Sequence, residues 1–551
     1  MSSPTGIAFE AAQFCYAGNG WALDVYQSAD PAVAAVISVG TSGGILAGVY
    51  KMLPMMPSSL LAVLAAVGVL TFGLSNLLGL RQGNIRRMLG YSSVAQMGLV
   101  VSALSFAALE GWGGATTLLV AGGILINHLL AKAGLFWMAG HRGASTLQGL
   151  AGRFSGRGAL LALTGVFVVA LAGLPPFPTF WAKWALVGEL VTAGGFVWIV
   201  VILAGSLFEA LYLLRFLGAA ITPEALSARP QAPAQASIEG GVSGAGRFSV
   251  VSPVVFAVLL PALGLTAAWA FGFREVLAYV PILAGLTMWL LEPLPARVKT
   301  ALAVALVLGY GALAFPLLEG IGQAFLGVFA GGGAVTMLAL FTRRLRQPGL
   351  VPAVTVLVLA MAALPAAESS LAFFLVFELA TVSSYLLLLR RRRAARAALR
   401  YLVFSLGGAF SLMVGLILLS SAGVTFALPH VSAAPTLSIG FEAGGAATAG
   451  LQGMGDVLGG AATGAAGAAG GSAASAGAGT FLAGLILVAL GFLVKAGAAG
   501  AHIWLPGAYA EAEDDVSPLF SGVLSKVPVA GLVLVVGLVL AGAGIPGAPG
   551  M

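Results

Sequence analysis

From Ser58 to Leu80 the chain carries no charged side chain, and runs of similar length and character recur along most of its 551 residues. A membrane-spanning helix needs about 20 apolar residues, so this punctuation leaves few folds open. Charged residues make up 8% of the chain and hydrophobic ones 59%, with a mean hydropathy of +1.03. Soluble globular chains carry about 25% charged residues, and the supply here cannot coat a water-facing surface. The expected fold is all-α: a polytopic bundle of membrane helices with the lipid bilayer as its solvent.

About 15 spans are expected on a 20-residue criterion. They lie near 32–51, 58–80, 89–108, 115–140, 158–191, 195–217, 249–272, 277–292, 300–318, 323–341, 350–366, 370–390, 400–422, 481–510 and 516–543. The basic residues gather in alternate loops: Arg81, Arg86 and Arg87; Arg142, Arg153 and Arg157; Arg297 and Lys299; Arg343, Arg344 and Arg346; then Arg390 to Arg393 with Arg396 and Arg400. The other loops are neutral or acidic, with Glu110, Glu319 and Glu368. By the positive-inside rule the basic loops face the cytoplasm. The net charge of +7 therefore sets topology and does not point to nucleic acid. A multi-pass protein of the cell (inner) membrane is expected.

Two segments do not read as spans. Residues 222–248 are polar, with Pro, Ser and Arg, and suggest a cytoplasmic linker between a module at 1–221 and one at 249–551. Residues 424–479 are dominated by Gly, Ala and Ser, too simple to specify a packed core, and suggest a flexible external insertion. One cysteine, Cys15, excludes a disulfide framework or a multi-cysteine metal site. No charged segment followed by an apolar one opens the chain, so no cleaved signal peptide is expected. Gly40-Thr-Ser42-Gly-Gly44 fits a hydrolase nucleophile pattern, but it lies in a span and not at a strand-to-helix turn. No catalytic residue, cofactor or metal ligand is expected.

The chain also resembles itself. Trp21-Ala-Leu-Asp-Val-Tyr26, followed by Ala29, Val33 and Ser38, parallels Trp504-Leu-Pro-Gly-Ala-Tyr509, then Ala512, Val516 and Ser521. One place in a repeating unit thus occurs near both ends. The chain reads as the second half of one unit joined to the first half of another, or as a circularly permuted unit.

Several ionisable residues fall inside spans, where each costs roughly 2.5–3.5 kcal/mol and commonly marks an ion path. Glu378, in FFLVFELATVSSYLLLL, lies about 12–18 Å from either span end at 1.5 Å per residue, too deep for a carboxylate to snorkel. The alternative is a Glu hydrogen-bonded to a neighbouring helix. Lys495 sits in GFLVKAGAAGAHIWLP beside small residues that invite a helix break, and broken helices offer free backbone groups to ions. A lysine buried there can exchange its proton reversibly; a lysine reaching for the interface is the competing reading. His502 follows, as either a relay or an interfacial histidine beside Trp504. Lys526 lies some way into the last span. His128 and Lys132, four apart, share a helix face, and Lys183 follows the break at Leu174-Pro-Pro-Phe-Pro178. Glu209 is near enough to Arg215 to suggest a structural pair. Tyr91, Ser92 and Ser93 fit either the lining of a wet path or bonds between helices, and packing is the favoured reading.

These residues carry a resemblance to a known family. RQGNIRRMLGYSSVAQMGLV, NHLLAKAGLF and LAGLPPFPTFWAKW resemble the second half of an antiporter-like proton-translocating membrane subunit. FFLVFELATVSSYLL, GFLVKAGAAGAHIWLPGAYAEAE and VSPLFSGVLSKV resemble the first half. The family comprises antiporter-like subunits of complex I, Mrp cation/proton antiporters and membrane-bound hydrogenase subunits. The resemblance implies two inverted five-helix repeats, each with a broken helix, in a subunit that moves protons with other membrane subunits of a respiratory or antiporter complex. Na⁺ is the alternative ion. Carried over by motif, Glu378 resembles the carboxylate that tunes the first channel lysine, Lys495 that lysine, and Lys526 the inner connecting lysine. Lys132 resembles the central lysine of the second repeat, and Lys183 its exit-side group. Coulomb coupling at a few ångströms is about 4 kcal/mol at an effective dielectric near 20.

Two departures from the family stand out. The halves occur in inverted order. The first copy of the repeated stretch has Thr41, Ser42 and Gly43 where the second has Lys526, and its upstream residues to Gly20 lack an equivalent of Lys495. Proton translocation, within a complex I-type NADH:quinone oxidoreductase, a hydrogenase or an Mrp-type assembly, is the leading expectation. The alternatives are a non-conducting structural subunit or a fragment of a tandem fusion. No cysteine cluster or nucleotide loop is present to support redox chemistry in this chain.

Overall fold

The computed structural model describes residues 20–29, 31–38, 42–141, 145–150, 154, 158–221, 251–273, 275–341, 349–390, 395–422, 424, 471–498, 500–512 and 516–542. The expected linker at 222–248, most of the expected insertion, Cys15 and several of the basic loop residues lie outside them. The described residues are helical almost throughout. They include eleven helices long and apolar enough to cross a membrane and three shorter apolar ones, Gly158–Leu171, Val276–Leu290 and Leu350–Ala363. The stretch expected as a span at 32–51 instead forms two short helices, Pro31–Val36 and Ser42–Met52.

Helix interruptions account for much of the difference from the expected spans. The region 158–191 divides into Gly158–Leu171 and Pro178–Thr192 around Gly173, whose φ of 75° ends the first helix, and a proline-rich stretch. Pro178 opens the second helix, where its missing N–H would have had no intrahelical partner anyway. In the region 481–510, the Gly471–Ala496 helix stops one residue after Lys495. Gly497 and Gly500, with φ of 69° and 90°, adopt the left-handed backbone that favours glycine. The helix begins at Gly471, within the stretch expected to be an insertion. Alanine is the strongest helix former, and a run of Ala, Ser and Gly can extend a helix already nucleated by the apolar residues after it.

The chain divides into two compact units, Met1–Phe271 and Gly272–Met551. In the first, the Ser58–Gly79 and Ile85–Leu109 helices lie closely together. Gly68 faces the Gly98 carbonyl and Gly98 faces the Gly68 carbonyl, and neither position has room for a Cβ; small residues let membrane helices approach in this way. The Gly123–His141 helix, preceded by a π-helical turn at Leu118–Gly122, packs against Pro178–Thr192 and Val251–Ala270. In the second unit the Ala395–Ser421 and Gly471–Ala496 helices make a similar glycine-mediated contact through Gly408, Gly415, Gly484 and Gly491. Ser370–Leu388 lies between Leu350–Ala363 and Ala395–Ser421 and is buried along nearly its whole length.

The internal sequence similarity has a local structural counterpart. Gly20–Ser28, Pro31–Val36 and Ser42–Met52 are three helical pieces in succession. Leu505–Glu511, Ser517–Gly522 and Val527–Gly542 are three more in the other unit.

Candidate functional site

In the first unit, polar side chains converge from four helices onto Glu209. This residue is fully buried on the Phe196–Ile221 helix. Its Oε1 accepts from Ser92 Oγ at 3.0 Å and its Oε2 from Gln96 Nε2 at 2.6 Å. Ser92 and Gln96 are four residues apart on the Ile85–Leu109 helix and so present one face. Lys183, near the start of the Pro178–Thr192 helix, brings its Nζ to 3.8 Å from Oε2. The ammonium also lies 5.7 Å from the centre of the Phe72 ring, a favourable place for a cation. A Cβ at Gly173 would come within 3.0 Å of that Nζ, so the glycine leaves room for the charge.

Lys132 enters from the Gly123–His141 helix. It is fully buried, donates to the Leu89 carbonyl at 3.0 Å and interacts electrostatically with Glu209. His128, one turn earlier, is buried, and neither ring nitrogen has a hydrogen-bond partner among the described residues. Tyr212 donates to Asn76 Oδ1 at 2.8 Å and also senses the Glu209 charge. Asn127 Nδ2 donates to the Ala170 carbonyl at 2.8 Å, tying the His128 helix to the end of Gly158–Leu171.

The expected Glu209–Arg215 pair is not formed. Six residues along a helix is about 120° around its axis, which sends the two side chains to different neighbours. Arg215 donates to the Leu80 and Gln82 carbonyls at 2.9 and 2.8 Å.

The second unit assembles its site around Lys495. This lysine is buried in the last turn of Gly471–Ala496, and its Nζ donates to Thr381 Oγ1 and to the Tyr401 hydroxyl, both at 2.9 Å. The ammonium lies 4.8 Å from the Tyr401 ring centre and 5.5 Å from that of Phe377. Thr381 is one turn beyond Glu378 on the Ser370–Leu388 helix, itself capped by the Ser369 hydroxyl. Glu378 is buried, and neither carboxylate oxygen has a hydrogen-bond partner among the described residues. It interacts with Lys495 through space. Trp504 packs edge-on against Tyr401 at 5.2 Å and donates to the Val494 carbonyl at 3.1 Å. Lys495, Tyr401, Tyr509 and Ser525 line a cavity of about 20 Å³, room for about one water molecule.

Lys132, His128 and Lys183 thus gather in one buried cluster, and Glu378 and Lys495 in another. Lys526 and His502 join neither. Lys526 is exposed in a one-turn 3₁₀ helix, Leu524–Lys526, between two pieces of the interrupted last span. His502 is exposed at the start of the one-turn helix His502–Trp504. Sequence reasoning missed the part played by Glu209 and did not find Gln96, Thr381 or Tyr401. Thr381 carried a signal, since three residues past Glu378 shares its face.

An interrupted, glycine-packed bundle of apolar helices long enough to cross a membrane is the architecture of a polytopic membrane protein. The family model described as "NADH:quinone oxidoreductase/Mrp antiporter, TM" matches residues 5–209 and 367–545, and the chain belongs to this family. Among curated relatives, NADH-quinone oxidoreductase subunit N of Rubrobacter xylanophilus is 32% identical over 36% of this chain and 41% of its own length. The subunit N of Desulforudis audaxviator is 32% identical over 45% of this chain and 49% of its own. F(420)H(2) dehydrogenase subunit N of Methanosarcina mazei is 31% identical over 36% of this chain and 43% of its own. The chain matches less than half the length of each of these relatives.

Proposed function

We propose that this chain translocates protons across a membrane as an antiporter-like subunit of a complex I-type NADH:quinone oxidoreductase, a hydrogenase or an Mrp-type assembly. The carrying observation is the environment of Lys495: a buried ammonium held by two neutral hydroxyls, beside a buried carboxylate and a cavity the size of one water. Such a lysine has polar neighbours for both of its protonation states, and Glu378 supplies a charge that biases them. Lys132, His128 and Lys183 form the corresponding proton-handling groups of the other unit. In this reading His502 relays protons near Lys495 and Lys526 carries them onward, as the family resemblance assigns.

The partners in this reading are other membrane subunits, with electron transfer belonging to them. The transported ion is H⁺, with Na⁺ as the alternative, and the location is the cell (inner) membrane. The residues 1–221 and 249–551 are assigned as second-half and first-half modules separated by the 222–248 linker, with the Val251–Ala270 helix at the start of the latter packed against the former's Gly123–His141 helix.

The test is Lys495→Ala in the assembly reconstituted into vesicles, with a pH-sensitive dye inside. Translocation is expected to fall about 100-fold, the scale of losing a positioned acid–base group. Unchanged proton movement would remove Lys495 from the path and favour the scaffold reading. That reading has one observation of its own: Lys526, assigned by resemblance to connect Lys495 onward, is exposed.

A further inference from the structure

We infer that Glu209 is the shared counter-ion of Lys132 and Lys183, one buried carboxylate between two lysines that holds the proton-bearing ammonium as it changes sides. The inference rests on the proton-translocating reading but assigns a residue that the family motifs quoted above do not contain.

The geometry supports this from several directions. The Glu209 carboxylate is fixed by Ser92 and Gln96, one donor to each oxygen, so it cannot swing to follow either lysine. Lys183 stands 3.8 Å from Oε2, within ion-pair range but beyond hydrogen-bond length, so it is drawn to the charge without being locked to it. Lys132 approaches from a different helix, with its Nζ on the Leu89 carbonyl. Leu89 lies one turn before Ser92, on the helix whose side chains grip Glu209. Both lysines interact electrostatically with Glu209. Among the described residues, the other titratable groups of the cluster are His128, beside Lys132, and Tyr212, which donates to Asn76.

Charge counting gives the mechanism. With Glu209 ionised and both lysines protonated, the buried cluster carries a surplus positive charge, which an apolar interior opposes. With one lysine protonated, the three groups sum to zero. One proton leaves Lys132 Nζ as one is taken up at Lys183 Nζ. Glu209 remains an anion at the start and the end, and the neutral sum is preserved. Arrival of a proton on one lysine therefore favours departure from the other.

The experiment is a charge cycle on the purified full-length chain, read by thermal unfolding, together with translocation in vesicles. Glu209→Gln keeps the shape and an oxygen for Ser92 while removing the charge. It is expected to lower the unfolding midpoint and to reduce translocation by at least tenfold. Adding both Lys132→Met and Lys183→Met to Glu209→Gln removes whichever lysine holds the surplus proton and is expected to recover the midpoint, whereas either one alone leaves the other lysine to hold it and recovers less. Recovery by only one lysine would overturn sharing, and an unchanged midpoint in Glu209→Gln would overturn a counter-ion role. If Glu209→Gln does not fold, the triple variant still decides: its folding supports the inference, and its failure to fold overturns it. The stability cycle does not depend on transport. A wild-type assembly that moves no protons would sink the functional reading while leaving the cycle to test charge sharing.

Discussion

The two units bury the same kinds of residue and satisfy them in different ways. In the first, the carboxylate is gripped: Glu209 has a donor on each oxygen and an ammonium 3.8 Å away. In the second, the lysine is gripped. Lys495 spends two of its three donors on neutral hydroxyls, and Glu378 has no hydrogen-bond partner among the described residues. A charge held by another charge depends on its partner for its place in the interior. A charge held by dipoles keeps its contacts when a counter-ion not bonded to it changes state. The first arrangement suits a fixed anion around which protons move. The second suits a carboxylate that can gain or lose a proton without breaking a bond to the lysine it influences.

The largest expected effect tests that contrast directly. Removing one partner of a buried pair typically costs about 3–5 kcal/mol, so Glu209→Gln should destabilise the chain on that scale. Glu378→Gln breaks no hydrogen bond among the described residues and should change stability by less than about 1 kcal/mol, while still lowering translocation. Denaturation of the two variants side by side would give the comparison, and equal losses would erase the distinction between the units.

Tyr401→Phe probes the grip on Lys495 alone. The ring, its edge contact with Trp504 and its face towards the ammonium all remain; only the hydroxyl goes. A hydrogen bond to a charged group is worth about 1.5–3 kcal/mol, so translocation should fall roughly tenfold with assembly intact. A rate equal to that of the wild type would mean that Thr381 alone suffices to hold Lys495.

How far these sites were legible in sequence follows the same physics. Lys495, Glu378, Lys132 and Lys183 stand out because a charged letter within an apolar run is rare and costly, and the helix break after Lys495 shows as glycines and alanines. The gripping residues do not stand out. Ser92, Gln96, Thr381 and Tyr401 are ordinary in a membrane helix, and their importance comes from helices 94 to 117 residues away in the chain. Glu209 was visible, but the nearest opposite charge in sequence, Arg215, was the wrong partner because helical geometry points it elsewhere. Chain proximity misled there, while the proline-rich break before Lys183 was readable because Pro and Gly act through their own backbone.

The smallest effect concerns a third carboxylate, at a helix end outside the spans, and separates burial from pairing. Glu275 immediately precedes the Val276–Leu290 helix, and its Oε2 accepts from the Glu368 backbone N–H at 2.9 Å. Burial holds its carboxyl above the usual range; hydrogen bonds from Ser369 and Glu368 work against that shift, and the Glu368 charge works with it. The folded chain therefore binds this proton more tightly than the unfolded chain. The resulting stability is fully present below the unfolded carboxylate range, near pH 4, and is lost as pH rises through the folded value. Glu275→Gln keeps an oxygen for the Glu368 N–H and has no charge to develop. It should match the wild type in acid and exceed it at neutral pH by less than about 1 kcal/mol. Unfolding midpoints across that pH range would show the two curves separating. A variant less stable at neutral pH would mean that the ionised carboxylate is itself held favourably there, by its hydrogen bonds, as Glu209 is held in the other unit.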